Sequence, residues 1–185
     1  AESFGDLDPK IDAREGDVPA EEWTGFHKIE QVLWAQNTTK GLEKYTEQLM
    51  KDANYLRAKV ETAEIDPVLF VTGPVELLNE VSSSKVTGEE ERYSHTDLAD
   101  FAANVEGSDK IIELVSDKLK EKDPKLAKTI DTRFNELMTT LDSYKKGDQY
   151  VDYTVLKEDE VKKLARQVDA LAEPISQVGS TLGVK

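Results

Sequence analysis

Apolar residues recur at three- and four-residue steps through one segment of this chain after another. That spacing lines up side chains on one face of a helix, and it excludes most sheet architectures from the outset. The first stripe is Trp23, Phe26, Ile29, Val32 and Leu33, in a helix expected to begin at Pro19 and end near Asn37 and Thr38. A second helix over Thr39–Glu61 carries Leu42, Tyr45, Leu49, Ala53, Leu56 and Val60 on one face. The pairs Asp66-Pro67 and Asp123-Pro124 read as a cap followed by a proline at the first helical position.

The third helix starts at the first of these pairs with Leu69, Phe70, Leu77, Leu78 and Val81, and Gly73-Pro74 predicts a kink or break inside it. A fourth runs from Ser94–Asp97 to about Lys120 on Leu98, Phe101, Val105, Ile112, Val115 and Leu119. The fifth starts at Asp123-Pro124 and the sixth near Lys157, with a kink expected at Pro174. Tyr150–Tyr153 is the one short alternating stretch and is expected to be a loop, while Gly179–Lys185 is expected to fray. Long helices joined by short connections imply an all-α, up-and-down antiparallel bundle forming a single domain over residues 1–185.

Charge and composition narrow the function classes. Acidic residues number 38 against 24 basic ones, giving a net charge of -14. A field of that sign repels nucleic acid and anionic headgroups and favours cations. There is no cysteine, so disulfides, thiolate metal sites and thiol nucleophiles are excluded. No apolar run approaches the roughly 20 residues of a membrane-spanning helix. An export signal or lipid anchor is therefore expected upstream of Ala1, if the protein is exported.

The histidines are His27 and His95. His27 and Glu30 stand three residues apart in one helix, so an imidazole nitrogen and a carboxylate reach the same side and can share one cation. A pair at this spacing also arises by chance and can simply hydrogen-bond to itself, so it becomes a site only where other segments add donors. Acidic turns supply candidates: Asp6 and Asp8 with Asp12 and Glu15 following, and Glu89–Glu91 before Ser94, His95 and Asp97. Ser94, Thr96 and Asp97 also read as helix caps, and His95 as a capping or packing residue. Gly25 beside His27 weakens a helix by roughly 1 kcal/mol relative to alanine, which points to a backbone or ligand in close approach. Trp23 and Trp34 are expected in the core. No His-Glu-x-x-His pair, Gly-x-Ser-x-Gly elbow or phosphate-binding glycine loop occurs.

Several blocks of the chain resemble the EfeO group of the imelysin-like family. They are Ala1-Glu2-Ser3-Phe4-Gly5-Asp6-Leu7-Asp8-Pro9, Ile11-Asp12-Ala13-Arg14-Glu15, Trp23-Thr24-Gly25-Phe26-His27-Lys28-Ile29-Glu30, Gly88–Leu98 and Leu171-Ala172-Glu173-Pro174-Ile175-Ser176. The resemblance covers essentially the whole chain. It implies a helical bundle outside the cytoplasmic membrane, in the periplasm or as a cell-surface lipoprotein, acting in bacterial iron uptake without being an enzyme. It further implies an iron ion (Fe3+ or Fe2+) as cargo; carboxylates suit such hard cations, while a single imidazole also admits zinc or copper. The implied partners are a membrane iron permease and a haem-peroxidase-like protein, with no nucleic acid and with membrane contact only through a lipid anchor.

The family's His-x-x-Glu element falls on His27 and Glu30, and further metal ligands fall on Asp12 and on the Glu89–Glu91 block, with Glu90 preferred. Relatives carry another helix before Glu2 and often a cupredoxin-like domain, and the bundle is expected to lack that first helix here. Two other readings remain open: a metallopeptidase of the imelysin type, and an extracytoplasmic protein that binds polysaccharide or haem.

Overall fold

A computed structural model describes residues 5–83, 87–88 and 90–184. The blocks at Glu2-Ser3-Phe4 and at Glu89 lie outside the described residues. Backbone contacts group the chain into two compact units, residues 1–64 and 65–185.

In the first unit, α1 (Asp8–Ile11) and α2 (Phe26–Glu30) both pack against α3 (Glu43–Glu61). The expected helix from Pro19 starts only at Phe26. Pro19 instead opens a turn, its carbonyl accepting from the N–H groups of Glu22 (2.8 Å) and Trp23 (3.1 Å). Gly25 precedes the helix with φ 87° and ψ -166°, a backbone shape that a side chain disfavours. A Cβ there would lie 2.3 Å from the Ile11 carbonyl oxygen. The close approach inferred from Gly25 is therefore a backbone contact with the end of α1.

After Glu30 the helix widens into a π-turn over Gln31–Ala35, closed by Gln36 N–H donating to the Gln31 carbonyl at 3.2 Å. The extra residue in that turn shifts the register of the stripe. Trp23 and Val32 are buried, but Phe26 is 57% exposed and Trp34 53% exposed, against the core positions expected for them.

The second unit is an up-and-down four-helix bundle. Its helices are α4 (Pro67–Ser83), α5 (Asp97–Lys122), α6 (Pro124–Asp142) and α7 (Glu158–Ile175), each packed on two neighbours in a closed ring. Leu78, Val81, Leu98, Phe101, Val105, Ile130, Leu137, Leu141, Leu164, Val168, Leu171 and Ile175 fill its core. Burying side chains of this size stabilises by about 1.5–3 kcal/mol each before chain entropy is subtracted.

Neither expected kink interrupts its helix. α4 runs through Gly73-Pro74, with Pro74 buried beside Val71 and Leu78 on the core face, and Pro174 falls at the penultimate position of α7. Packing thus overrides a missing backbone donor. The tail, expected to fray, forms α8 (Val178–Leu182), with Val178 buried and the Leu182 carbonyl accepting from Lys122 Nζ at 2.8 Å. Gln149–Tyr150 pairs antiparallel with Lys145–Lys146 in a minimal hairpin, so the alternating stretch begins as a strand. Among the described residues no helix is long and apolar enough to cross a membrane.

The proline-marked start of α6 is capped as its sequence implies: Asp123 Oδ1 accepts from the N–H groups of Lys125 (3.0 Å) and Leu126 (2.9 Å). Asp123→Ala should cost about 1 kcal/mol. Urea unfolding should show a lower midpoint with an unchanged slope, and an unmoved midpoint would remove the cap from the account.

Candidate metal centre

The polypeptide around His27 is shaped by three local features. Gly25 lets the irregular segment before it turn sharply into α2, so that His27 emerges within the first turn of the helix. The close fit at Ile11 brings the end of α1, and Asp12 with it, up to that turn. Trp23 Nε1 donates to the Ala13 carbonyl at 2.7 Å inside the fold, fixing the segment that follows Asp12. Lys28 Nζ lies 4.4 Å from the centre of the Trp23 ring and donates to Gln31 Oε1 at 2.8 Å, holding the outer side of the same turn.

His27 is 4% exposed and Glu30 6% exposed. His27 Nδ1 stands 3.1 Å from Glu30 Oε2. Nε2 on the other side of the ring stands 3.4 Å from Asp12 Oδ1. Asp12 is exposed, so the arrangement opens toward solvent on that side. A groove of about 270 Å³, lined by Leu7, Asp8, Ile11, Asp12, Phe26 and Leu56, adjoins it.

One imidazole therefore lies between two carboxylates, one buried and one exposed. Buried acids and a buried imidazole are costly to keep unless they pair or bind a cation. The ring can give one nitrogen to a metal while its other N–H donates to a carboxylate, the usual way a ligating histidine is oriented. Oxygen donors and a single imidazole suit iron, manganese and zinc and leave no soft-ligand preference.

The candidates from the acidic turn before α5 lie in the second unit. Glu90 is half-buried in the turn before α5. His95, weighed as a ligand or a packing residue, takes a positive φ of 56°. It is held through its backbone: its N–H donates to the Glu91 carbonyl (2.9 Å) and its carbonyl accepts from Tyr153 N–H (2.9 Å). A left-handed backbone is tolerated by histidine more readily than by bulky or branched residues.

Asp97, expected as a cap, does not cap α5. Its Oδ1 accepts from the Glu91 N–H at 3.1 Å, while Thr96 takes the cap position. Asp97 is 3% exposed, and burial pushes its carboxyl above the usual carboxylate range against the hydrogen bonds that pull it down. Tyr153 beside it is pushed up to about 12, by burial first and by the Asp97 charge second. The Asp97–Glu91 link has no signal in sequence spacing, because its partner lies six residues back in an irregular turn.

The sequence model of the imelysin family, described as peptidase M75, matches residues 2–178. The chain belongs to the imelysin family of helical proteins. It is similar to an Efem/EfeO family lipoprotein of Staphylococcus haemolyticus (strain JCSC1435), at 50% identity over 186 residues. That alignment covers 96% of this chain and 64% of the relative. An Efem/EfeO family lipoprotein of Staphylococcus aureus (strain NCTC 8325 / PS 47) is 47% identical over 184 residues, covering 96% of this chain and 65% of the relative. The chain thus spans a little under two thirds of the length of these relatives.

Proposed function

We propose that this chain is the metal-holding helical part of an extracytoplasmic iron-uptake component, and that it binds an iron ion as cargo through His27, Glu30 and Asp12. The observation that carries the reading is the imidazole of His27 set between the Glu30 and Asp12 carboxylates, at 3.1 Å and 3.4 Å, with the first acid buried beside it. The likeness to Efem/EfeO family lipoproteins supports iron as the cargo and a position outside the cytoplasmic membrane, held by a lipid anchor. Glu90, taken from the sequence resemblance, is a further candidate donor. A membrane iron permease and a haem-peroxidase-like protein are the proposed partners. Zinc and copper compete for the same donors.

Binding rather than catalysis fits the donor set best. A hydrolytic metal needs an open position beside a base aimed at its water. The family's peptidase description nevertheless makes proteolysis worth a control. Casein cleavage that chelation abolishes would replace binding by catalysis as the function of this site.

Proton and metal compete for the same ring nitrogen, since imidazolium has no lone pair to give. Ferrous iron should therefore bind more weakly at pH 5.5 than at pH 7.5, with protons released as it binds. Anaerobic calorimetry in two buffers of different ionisation enthalpy measures both quantities. Affinity that does not change over this range would remove the imidazole from the coordination sphere. Competition among iron, zinc and copper then ranks the cargo.

A further inference from the structure

We infer that Trp23 and Gln31 are positioning residues for Asp12: each ties down the loop that follows Asp12, and together they hold its carboxylate beside His27 before the metal arrives. This rests on the metal-binding reading above and deepens it. Glu15, an acid that the sequence offers as a donor, serves one of the two ties.

Asp12 closes α1, its N–H donating to the Asp8 carbonyl at 2.9 Å. Residues 13–18 then fold back on themselves. The Arg14 N–H donates to Asp17 Oδ2 at 2.8 Å, the Asp17 N–H returns to the Arg14 carbonyl at 3.1 Å, and Glu15 and Val18 form an isolated bridge. Trp23 stands just before α2 and Gln31 just after it, and each takes hold of this loop. The inner tie is Trp23 Nε1 donating to the Ala13 carbonyl at 2.7 Å, between two buried residues. The outer tie is Gln31 Nε2 donating to Glu15 Oε1 at 3.2 Å. Lys28 joins the two. Its ammonium stands 4.4 Å from the centre of the Trp23 ring and donates to Gln31 Oε1 at 2.8 Å. That bond occupies the carbonyl end of the Gln31 side chain and leaves its amide N–H groups for Glu15.

A buried indole N–H needs an acceptor, and that need alone accounts for one bond. It does not account for the outer tie, whose groups lie at the surface where water would serve them as well. Nor does it explain why both ties end on the residues that follow Asp12. Asp12 has a use for them. Its side chain is 56% exposed and its Oδ1 stands 3.4 Å from His27 Nε2. An exposed acid at that distance gains little from the pairing itself. With a loose loop behind it, metal binding would have to order the side chain and the backbone together. Fastening the loop in advance removes the backbone part of that cost. Outer partners of metal ligands typically matter 10- to 100-fold in affinity.

Ferrous iron alone is the probe, titrated anaerobically at neutral pH into the full chain. Trp23→Phe keeps a ring and removes the N–H, and it should weaken binding about 10-fold. Gln31→Ala should weaken it about 3-fold. Asp12→Asn should cost about 10-fold by itself. In that background neither Trp23→Phe nor Gln31→Ala should bring a further loss, because both act through the Asp12 carboxylate. Glu15→Gln keeps an oxygen for the Gln31 amide and should bind like the parent, whereas Glu15→Ala should match Gln31→Ala. In the metal-free protein, Trp23→Phe should speed amide hydrogen exchange in residues 13–17 and leave α3 unchanged.

Equal losses with and without the Asp12 carboxylate would show that Trp23 and Gln31 serve only the fold and would overturn the inference. A Glu15→Gln protein that loses as much affinity as Asp12→Asn would make Glu15 a ligand and overturn it as well. Should Trp23→Phe not fold, Gln31→Ala carries the same comparison, because its tie lies at the surface. The underlying reading fails separately. If removing His27 and Glu30 leaves iron binding intact, the metal centre itself is wrong. If that removal abolishes binding while Trp23→Phe and Gln31→Ala bind like the parent, the centre stands and the role of the two ties falls.

Discussion

A protein carrying His27→Ala and Glu30→Ala together should lose iron binding by at least about 100-fold and still fold. Both halves of this expectation follow from the pair's geometry. The substitutions remove the one imidazole of the site and the carboxylate 3.1 Å from it, so Asp12 alone remains of the three donors in the first unit. Losing an outer-shell partner of a metal site already costs 10- to 100-fold, and losing two ligands must cost more.

The fold should survive because a buried polar pair removed as a pair leaves no orphan behind. Removing His27 alone takes the imidazole away from a Glu30 carboxylate that is 6% exposed, which is the destabilising case. The thermal midpoint of the double variant should therefore lie at or above that of His27→Ala alone. Calorimetric titration with ferrous iron and a thermal melt of the three variants read both halves. A double variant that binds iron like the parent ends the metal-centre proposal.

The helices were legible because their evidence is local. Spacing of three and four residues fixed the faces of α5, α6 and α7, and Asp123-Pro124 marked a start that its two hydrogen bonds to Asp123 Oδ1 explain. The misplaced start at Pro19 has the opposite character. Proline and the apolar stripe both favour a helix there, and what prevents one until Phe26 is the Ile11 carbonyl packed against Gly25, fourteen residues away in sequence.

The site divides in the same way. His27 and Glu30 could be paired from a three-residue spacing. Asp12 is readable from the residues only as one acid among several near the amino-terminal turn, and resemblance singles it out, since its approach to Nε2 depends on how α1 meets α2. Asp97 was readable as an acid near a helix start, but its actual partner, the Glu91 N–H, sits in an irregular turn that no periodicity describes. Trp34 is of a residue type usually found in the core, but it lies in the π-turn from Gln31 to Ala35, whose geometry departs from a regular helix, and it is exposed.

Gly25→Ala should destabilise the first unit by about 2–6 kcal/mol, the reverse of what its place in a helical pattern implies. Inside a helix, alanine in place of glycine gains roughly 1 kcal/mol. At φ 87° and ψ -166° the backbone occupies a region essentially reserved for glycine, where a side chain costs about 1–3 kcal/mol. The added methyl would also lie 2.3 Å from the Ile11 oxygen, 2.7 Å from its carbonyl carbon and 2.9 Å from the Lys10 oxygen. These are backbone atoms, which cannot swing aside as a long side chain would, and forced overlap of this kind costs about another 1–3 kcal/mol.

The strain has a direction as well as a size. Relief comes from α1 moving off α2, and Asp12 is the residue that follows Ile11, so the Asp12 carboxylate is carried away from His27 Nε2. Iron affinity should fall although no ligand has been changed. Urea unfolding and a ferrous iron titration of Gly25→Ala test the two consequences together. A variant as stable as the parent, or more stable, would mean that Gly25 sits in an ordinary helical turn and that the end of α1 does not pack against it.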